Sequence, residues 1–226
     1  MIKAVVFDLD DTLISEYDYI KSGYTVIAKK IKNDFNIEKE TSEIYNLMLN
    51  IFKKDSRNVF NTLLNELNVE YDENYIKELV KVYREHIPSI NFFDDVIPCI
   101  EKLKENGIKL GIITDGYIIT QKNKLKILNA YELFDKIIIT DELGKEFWKP
   151  NPRPFEMMKE YFNIEYEEMM YVGDNPKKDF YIKKYYPVKT TRINRKNAIY
   201  FNIEYLENIN EDISIINLKE ILDFCI

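Results

Sequence analysis

Histidine and cysteine are scarce in this chain of 226 residues, which has one histidine and two cysteines. Because His86 is the single histidine, a zinc site built from several histidines is excluded, and a Ser-His-Asp triad would depend on this one residue. Cys99 and Cys225 form no CxxC pair, so we expect both thiols to lie in the core of a protein from a reducing compartment. Any chemistry therefore has to come from carboxylates, lysines and hydroxyls.

Long apolar runs are lacking as well. No stretch reaches the roughly 18 residues that a membrane-spanning helix needs, and the N-terminus does not have the basic and apolar segments of a signal peptide. We therefore expect a folded cytoplasmic protein without a membrane partner, and the sequence offers no prediction of its oligomeric state.

Positive charge is in deficit, with 32 lysines and arginines against 39 aspartates and glutamates and a net charge of −7. A general nucleic-acid-binding protein is expected to have a basic face, so this balance argues against nucleic acid as a partner. It does not argue against a small anionic ligand, because a metal ion and a few lysines at one site can bind it.

The spacing of apolar residues divides the chain into two kinds of segment. Residues 3–8 form a short β-branched run that is typical of a buried parallel strand, whereas residues 17–86 repeat apolar positions at helical spacing. The helical stretch is too long for a plain crossover. We therefore expect a helical subdomain, residues 16–92, inserted after the first strand over the carboxyl ends of a sheet, and an α/β core of residues 1–15 and 93–226.

After this insert, predicted helices and strands alternate, which is typical of a parallel sheet with helices on both faces. The predicted strands are residues 109–114, 136–140, 169–174 and 188–194, and the predicted helices are residues 94–106, 117–128, 151–162 and 176–185. The fold class predicted is α/β, a doubly wound parallel sheet with an inserted all-helical subdomain.

The stretch VVFDLDDTL, residues 5–13, places three aspartates directly after the first strand. Because side chains alternate along a strand, Asp8 and Asp10 point to the same side. Two such carboxylates repel each other unless a cation lies between them, and oxygen ligands alone favour Mg²⁺. Asp11 is more simply interpreted as a turn or helix-capping residue.

Asp174 ends another predicted strand, and Asp179 follows in the first turn of the predicted helix 176–185. In a parallel sheet, ligands bind beyond the carboxyl ends of the strands, so Asp174 is expected to lie near Asp8 and Asp10. The sequence therefore predicts a Mg²⁺ site at this edge of the sheet.

Two other loops at the same edge have groups that suit an anion. Thr114, Asp115 and Gly116 end the strand 109–114, where a threonine hydroxyl and glycine backbone can bind a phosphate oxygen, although a simple helix cap explains them equally well. Lys149 follows the strand 136–140 and stands beside prolines that stiffen its loop, as expected for a lysine that neutralises a phosphate or a nucleophilic carboxylate.

These motifs, in this order, resemble the four motifs of the haloacid dehalogenase-like hydrolase superfamily. They are DLDDT at residues 8–12, the turn Thr114-Asp115-Gly116, Lys149 within KPNPRPF, and Gly173-Asp174 followed by Asp179. The resemblance extends from Met1 to about Arg195, and the helical insert is similar to the first type of cap in this superfamily. In one departure, Asp115 stands where the second motif often has asparagine, which leaves the role of Thr114 intact but changes the local charge.

The resemblance implies a role for each acid. Asp8 is implied as the nucleophile that forms an aspartyl-phosphate, and Asp10 as the general acid and then the general base. The side chains of Asp8 and Asp174 and the backbone carbonyl of Asp10 would hold Mg²⁺, and Asp179 would orient the metal's ligands. Thr114 and Lys149 would bind the phosphoryl oxygens.

A phosphatase is favoured over a dehalogenase, because the true dehalogenases of the superfamily lack the second aspartate of the first motif, which is Asp10 here. The predicted function is therefore Mg²⁺-dependent hydrolysis of a small phosphate monoester, such as a sugar phosphate, a nucleotide or a similar metabolite. Two alternatives stay open: a phosphotransferase or phosphomutase on the same core, and a phosphoacceptor domain that is not an enzyme.

Overall fold

The computed structural model describes residues 1–201 and 203–226. Within these ranges the strands are Ala4–Phe7 (β1), Lys109–Thr114 (β2), Lys136–Ile139 (β3), Met169–Gly173 (β4), Lys189–Ile193 (β5) and Ile213–Ile215 (β6). They form one sheet in the order β3-β2-β1-β4-β5-β6, and every neighbouring pair is parallel. The predicted α/β class and parallel sheet are confirmed, and β1 is at the centre, where both of its faces are buried.

The helices are Glu16–Asp34 (α1), Thr41–Lys54 (α2), Val59–Glu66 (α3), Glu73–Glu85 (α4), Val96–Glu105 (α5), Ile118–Ile127 (α6), Ala130–Leu133 (α7), Arg153–Phe162 (α8) and Leu222–Cys225 (α9). A search of the described residues for helices of sufficient length and apolar character finds no candidate that could cross a membrane.

Residues 18–89, with most of α1 and all of α2 to α4, form one of two compact units. Apolar residues at three- and four-residue spacing place one face of each helix in a common core, which includes the fully buried Ile27, Ile31, Ile44, Met48 and Leu63. His86 belongs to this unit, where its Nδ1 donates to the Tyr83 carbonyl at 2.6 Å and its Nε2 lies 3.2 Å from the Ser22 hydroxyl.

The other compact unit joins residues 1–17 with residues 90–226 and contains the sheet. One face of the sheet packs Ala4, Val6 and Ile113 against α8. Phe155 of α8 and Tyr171 of β4 meet edge to face, with ring centroids 4.8 Å apart. Each such large side chain contributes about 1.5–3 kcal/mol when it is fully buried.

The loop after β1 is fixed by residues that are distant in sequence. Ile14 forms an antiparallel bridge with Phe92, which brings together the two chain segments that flank the helical unit. The guanidinium group of Arg195 donates to the Thr12 carbonyl at 2.9 and 3.1 Å and to the Asp95 carboxylate at 2.6 Å. Because Arg195 and Asp95 are both buried, this ion pair holds the loop in one position.

The prediction of a helix at residues 176–185 is wrong. The Asn175 carbonyl accepts the N–H groups of Lys178 and Asp179, and the Asp179 carboxylate accepts the Asn175 N–H at 2.8 Å. These bonds close a tight turn, and one short 3₁₀ turn, Tyr181–Lys184, follows it. Asp179 therefore lies in a turn that directs its side chain inward. The elements α7, β6 and α9 have no counterpart in the sequence-based prediction.

The two cysteines are free and buried, as the sequence predicted for core thiols. Burial raises the pKa of Cys99 to about 12 and that of Cys225 to about 11. Both thiols are therefore protonated and unreactive near neutral pH.

Candidate active site

The carboxyl ends of β1, β2 and β4 lie side by side at one edge of the sheet, with β1 in the middle. The pairing continues just beyond β1, where the Asp8 N–H donates to the Val172 carbonyl at 2.8 Å. Asp8, Thr114 and Asp174 therefore come from neighbouring strands and occupy one edge, which is where ligands bind in an open parallel sheet.

Asp8, Asp174 and Asp179 form a cluster of buried carboxylates, in which one oxygen from each lies within 4.8 Å of the others. Burial, opposed by the Lys149 charge and assisted by Asp179, raises the pKa of Asp8 to about 6. Burial and the charges of Asp179 and Asp8 raise the pKa of Asp174 well above its ordinary value. Three acids held this closely need positive charge nearby if all are to be ionised.

Lys149 supplies one such charge. Its fully buried ammonium group donates to Asp8 Oδ1 at 2.6 Å, to Asp179 Oδ1 at 2.8 Å and to the Tyr171 hydroxyl at 2.7 Å. Burial opposes the charge on this lysine, but Asp179 and Asp8 outweigh it and raise the pKa of Lys149. The Tyr171 hydroxyl in turn donates to Asp179 Oδ1 at 3.2 Å, so Lys149 is held at its tip from several directions.

Asp115 joins the loops after β2, β3 and β4. Its Oδ1 accepts from the Thr140 hydroxyl at 2.8 Å and from the Lys149 backbone N–H at 3.1 Å, and its Oδ2 accepts from Lys178 at 3.2 Å. Burial would raise its pKa, but the charges of Lys149 and Lys178 prevail and lower it. Asp115 is therefore an anion whose carboxylate binds protein groups, which accounts for an acid at a position where the resemblance leads one to expect asparagine.

Asp10 lies further along the loop, and its side chain is held by α6. Lys124 Nζ donates to Asp10 Oδ1 at 2.7 Å, and Gln121 Nε2 donates to Asp10 Oδ2 at 3.0 Å. Gln121 also donates to the Thr114 hydroxyl oxygen. The Asp10 side chain stays 18% exposed, whereas Asp8 beside it is buried. Asp10 is thus the acid of this loop that is both fixed and open to solvent.

Asp11 closes the loop, as its interpretation as a turn or capping residue predicted. Its backbone has φ of 52°, and its carboxylate accepts the Glu16 N–H at 2.9 Å at the start of α1 and the Ile199 N–H at 2.8 Å. Asp11 therefore positions the loop.

Gly116 allows α6 to approach the loop after β2. Its φ is +130°, a conformation that side chains disfavour, and a Cβ atom there would lie 3.2 Å from Gln121 Cδ. A glycine at this position lets Gln121 reach both Thr114 and Asp10.

Some of these groups line a cavity of about 290 Å³. Thr114 is fully buried and is not one of the residues that line it. Its lining residues are Asp8, Asp10, Glu16, Asp115, Gly116, Trp148, Lys149, Asp174, Asn175, Lys178 and Tyr200. Five of them are acids and two are lysines, so the cavity is electronegative by itself. A phosphate group would be repelled from such a cavity unless a cation entered with it.

The residues present fit a divalent cation. Asp174 Oδ2 is buried and has no hydrogen-bond partner among the described residues. The neighbouring donors are carboxylate oxygens, which is the ligand type that Mg²⁺ prefers. Both oxygens of Asp179 already have protein partners, Lys149 and Tyr171 on Oδ1 and the Asn175 N–H on Oδ2, so Asp179 is better placed to orient the cluster than to provide a free oxygen.

Sequence reasoning missed several residues of this site. Four of them contact its charged or phosphate-binding groups: Tyr171, Lys178, Gln121 and Lys124. A tyrosine in an apolar strand looks like a core residue, and Lys178 looks like one of many surface lysines. The spacing of Gln121 and Lys124 could have indicated them weakly, because two polar residues three positions apart lie on the same face of a helix, and here that face is buried.

The chain was also compared with known proteins. Residues 5–193 match the family described as haloacid dehalogenase-like hydrolase. The sequence is 30% identical to the glyceraldehyde 3-phosphate phosphatase of Methanopyrus kandleri, over 86% of this chain and 85% of the relative. It is also 30% identical to the enzyme of the same name from Methanocaldococcus jannaschii, over 99% of this chain and 96% of the relative.

Among solved structures, the chain is similar to a haloacid dehalogenase-like phosphatase from Thermococcus onnurineus. The TM-score is 0.62 and the sequence identity 26%, and the similarity covers 99% of this chain and 97% of the other.

Proposed function

This chain belongs to the haloacid dehalogenase-like hydrolase family and is a hydrolase acting on phosphate esters, and from that premise we propose that it cleaves a small phosphate monoester through an aspartyl-phosphate on Asp8. The observation that carries the proposal is the buried cluster of Asp8, Asp174 and Asp179, with Lys149 on Asp8 and the cavity directly beside it.

The proposed reaction has two steps. In the first, a carboxylate oxygen of Asp8 attacks the phosphorus, the bond to the ester oxygen breaks, and Asp10 gives a proton to that oxygen so that the product leaves as an alcohol. In the second, Asp10 takes a proton from a water molecule whose oxygen attacks the phosphorus. The bond to Asp8 then breaks, and inorganic phosphate leaves. The burial of Asp8 and the exposure of Asp10 to the cavity support this division of roles.

Lys149 and Thr114 bind the phosphoryl oxygens in this proposal. The Lys149 ammonium already lies against Asp8 and is charged, so it can stabilise the negative charge that spreads over the phosphoryl oxygens during transfer. The Thr114 hydroxyl accepts from Gln121, which leaves its own proton to be donated to a phosphoryl oxygen. Asp115 and Gly116, which follow Thr114 in the loop, line the cavity.

Mg²⁺ is the proposed cofactor. The side chains of Asp8 and Asp174 and the backbone carbonyl of Asp10 would hold it, with Asp179 orienting them. When bound, it supplies positive charge that offsets the charge of the phosphoryl group during transfer. The oxygen-only donor set supports this cofactor, as does Asp174 Oδ2, for which the described part of the chain provides no hydrogen-bond partner.

The first substrate to test is glyceraldehyde 3-phosphate. Two relatives at 30% identity are named glyceraldehyde 3-phosphate phosphatase. A cavity of about 290 Å³ also suits a small metabolite better than a large one. The helical insert at residues 16–92 stays a predicted cap that would limit the size of the substrate.

The experiment is a phosphate-release assay on the purified protein with Mg²⁺. The substrates are glyceraldehyde 3-phosphate, other triose and sugar phosphates and nucleoside monophosphates, and the control is Asp8→Asn. We expect turnover by the wild type and its loss in Asp8→Asn, which is similar in shape but is not a nucleophile. Activity that survives in Asp8→Asn rejects the mechanism.

Two outcomes of this assay would favour the alternatives. Phosphate that appears on an added acceptor instead of in solution indicates a phosphotransferase. A phosphorylated Asp8 that persists while little phosphate is released indicates a phosphoacceptor domain. Mass spectrometry of the intact protein after acid quenching distinguishes these outcomes, because an aspartyl-phosphate adds the mass of one phosphoryl group.

A further inference from the structure

Two polar side chains on α6 are buried in a way that the fold alone does not require. Gln121 is 0% exposed and Lys124 is 3% exposed. A buried lysine and a buried glutamine cost desolvation free energy, and apolar residues of similar size at both positions would avoid that cost. Gln121 Oε1 is also buried and has no hydrogen-bond partner among the described residues. The hydrogen bonds that Lys124 Nζ and Gln121 Nε2 donate offset this desolvation cost.

The two side chains hold both oxygens of one carboxylate. Lys124 Nζ binds Asp10 Oδ1 at 2.7 Å, and Gln121 Nε2 binds Asp10 Oδ2 at 3.0 Å. A single donor would let the carboxylate rotate about its side-chain bonds, but two donors from separate residues fix both its direction and its plane. Gln121 and Lys124 are three residues apart, so one helical turn sets the distance between the two donors.

Gln121 connects this carboxylate with the proposed phosphate-binding hydroxyl. Its Nε2 also donates to Thr114 Oγ1, so the threonine oxygen acts as an acceptor toward α6. A hydroxyl that accepts on one side has its proton available for another acceptor. The same amide group thus orients Asp10 and directs the Thr114 proton away from α6.

We propose that Gln121 and Lys124 are positioning residues for the reaction, which fix Asp10 for proton transfer to the leaving oxygen and Thr114 for donation to the phosphoryl group. The inference rests on the proposed function, because it assigns these two residues to Asp10 acting as an acid. General acid catalysis depends strongly on the placement of the acid, since a proton moves only over hydrogen-bond distance.

The test uses the dependence of the rate on the leaving group. An alkyl phosphate releases a poor leaving group and needs the proton from Asp10, whereas p-nitrophenyl phosphate releases a stable phenolate and needs it little. The variants are Lys124→Met and Gln121→Met, which keep side-chain length and remove the donors. Lys126→Met is the matched control, because Lys126 is an exposed lysine of the same helix. Thermal melting monitored by circular dichroism shows whether each variant is folded.

In Lys124→Met we expect kcat/KM, which reports only the step in which the leaving group departs, to fall about 100-fold for the alkyl phosphate and less than about 5-fold for p-nitrophenyl phosphate, as for the loss of a positioned general acid. Lys124→Arg restores a charged donor and should recover part of the lost rate. Gln121→Met should lower kcat/KM for both substrates, since Thr114 loses its orienting donor, and lower it further for the alkyl phosphate, since Asp10 loses one of its two donors. Lys126→Met should match the wild type.

Equal losses of kcat/KM for the two substrates in folded Lys124→Met and Gln121→Met would overturn the inference, because a merely structural role does not distinguish leaving groups. The proposed function would survive that result, provided that Asp8→Asn remains inactive. If the wild type hydrolyses neither substrate, or if Asp8→Asn is as active as the wild type, the proposed function fails, and the inference fails with it. If Lys124→Met does not fold, Gln121→Met and Lys124→Arg test the inference in its place, by the loss for the alkyl phosphate relative to the loss for p-nitrophenyl phosphate.

Discussion

The ammonium nitrogen of Lys149 lies 2.6 Å from Asp8 Oδ1, although the two residues are 141 positions apart in the sequence. Neither group is solvated, so Lys149 is the main compensation for the buried charge of Asp8, and Asp8 together with Asp179 compensates the buried charge of Lys149. Their ion pair keeps Lys149 charged, and it lowers the pKa of Asp8 from the still higher value that burial alone would give. In the proposed reaction, the pair thus provides both the ionised nucleophile and the phosphate-binding cation at one place.

Replacement of Lys149 with methionine should reduce kcat by about 100- to 1000-fold, which is typical for the loss of one group that stabilises transition-state charge. Asp8 and Asp179 would also lose their shared partner, so we expect lower stability in the absence of metal. Steady-state kinetics and urea unfolding in EDTA measure the two effects. Lys177→Met, at an exposed lysine near the site, is the control. A Lys149→Met enzyme within twofold of the wild type would show that this lysine has no role in catalysis.

Tyr171→Phe should weaken the support of Lys149 without changing its charge. The variant loses the acceptor for Lys149 and the donor to Asp179 but keeps the ring contact with Phe155. We expect a loss of about 1 kcal/mol in the free energy of unfolding, the usual value for a buried hydrogen bond, and a severalfold decrease in kcat. Urea titration and kinetics measure these changes. The control is Tyr161→Phe, which removes an exposed hydroxyl. If Tyr171→Phe changes neither quantity more than this control does, the hydroxyl does not position Lys149.

Much of this site could be predicted from the sequence, because strand ends are local features. Asp8, Thr114 and Asp174 each follow an apolar run, and the topology of a parallel sheet brings such positions to one edge. The family resemblance, the α/β class and the hydrolase activity on phosphate esters were predicted and are confirmed.

The remaining features depend on tertiary contacts that no local pattern shows. Gln121 and Lys124 look like ordinary polar helix residues until α6 packs beside Asp10. Asp179 was placed in a helix because residues 176–185 have helical spacing, but hydrogen bonds with Asn175 favour a tight turn instead. In both cases a side-chain hydrogen bond to a distant or capping group outweighs local propensity.

Gly116→Ala should damage the site more than a substitution at another glycine with positive φ. At Gly116 the alanine has an unfavourable φ of +130°, and this backbone strain costs about 1–3 kcal/mol. In addition, its Cβ lies 3.2 Å from Gln121 Cδ. Gly107→Ala is the matched control, because its φ is +73° and nothing lies within 4 Å of the added Cβ. We expect both variants to lose stability in urea, and only Gly116→Ala to lose kcat. An equal kcat in the two variants would mean that the approach of Gln121 to this loop does not matter for turnover.

Mg²⁺ should stabilise the folded protein, since the cluster of Asp8, Asp174 and Asp179 forms only on folding. Thermal melting in EDTA and with increasing Mg²⁺ should show a melting temperature that rises with the logarithm of the metal concentration. Asp174→Asn removes one of the proposed anionic ligands and should show little rise, whereas Asp223→Asn, at an exposed aspartate outside the cluster, should behave like the wild type. A rise of the same size in Asp174→Asn would place the stabilising metal elsewhere.

Glu16 should make the protein less stable as the pH rises toward neutrality. Burial and the charge of Asp10 raise the pKa of Glu16 to about 7 from its ordinary value of 4.5. A carboxyl group whose pKa is higher in the folded state than in the unfolded state favours folding at low pH, and this contribution is lost between pH 4.5 and about 7. Glu16→Gln cannot titrate, so its free energy of unfolding should fall less than that of the wild type over this range. Urea titrations of both proteins are carried out at pH 5 and pH 7 in EDTA. Because the two proteins share all other acids, the difference between them isolates the contribution of Glu16. Equal changes in the two proteins would show that Glu16 titrates alike in the folded and unfolded chains.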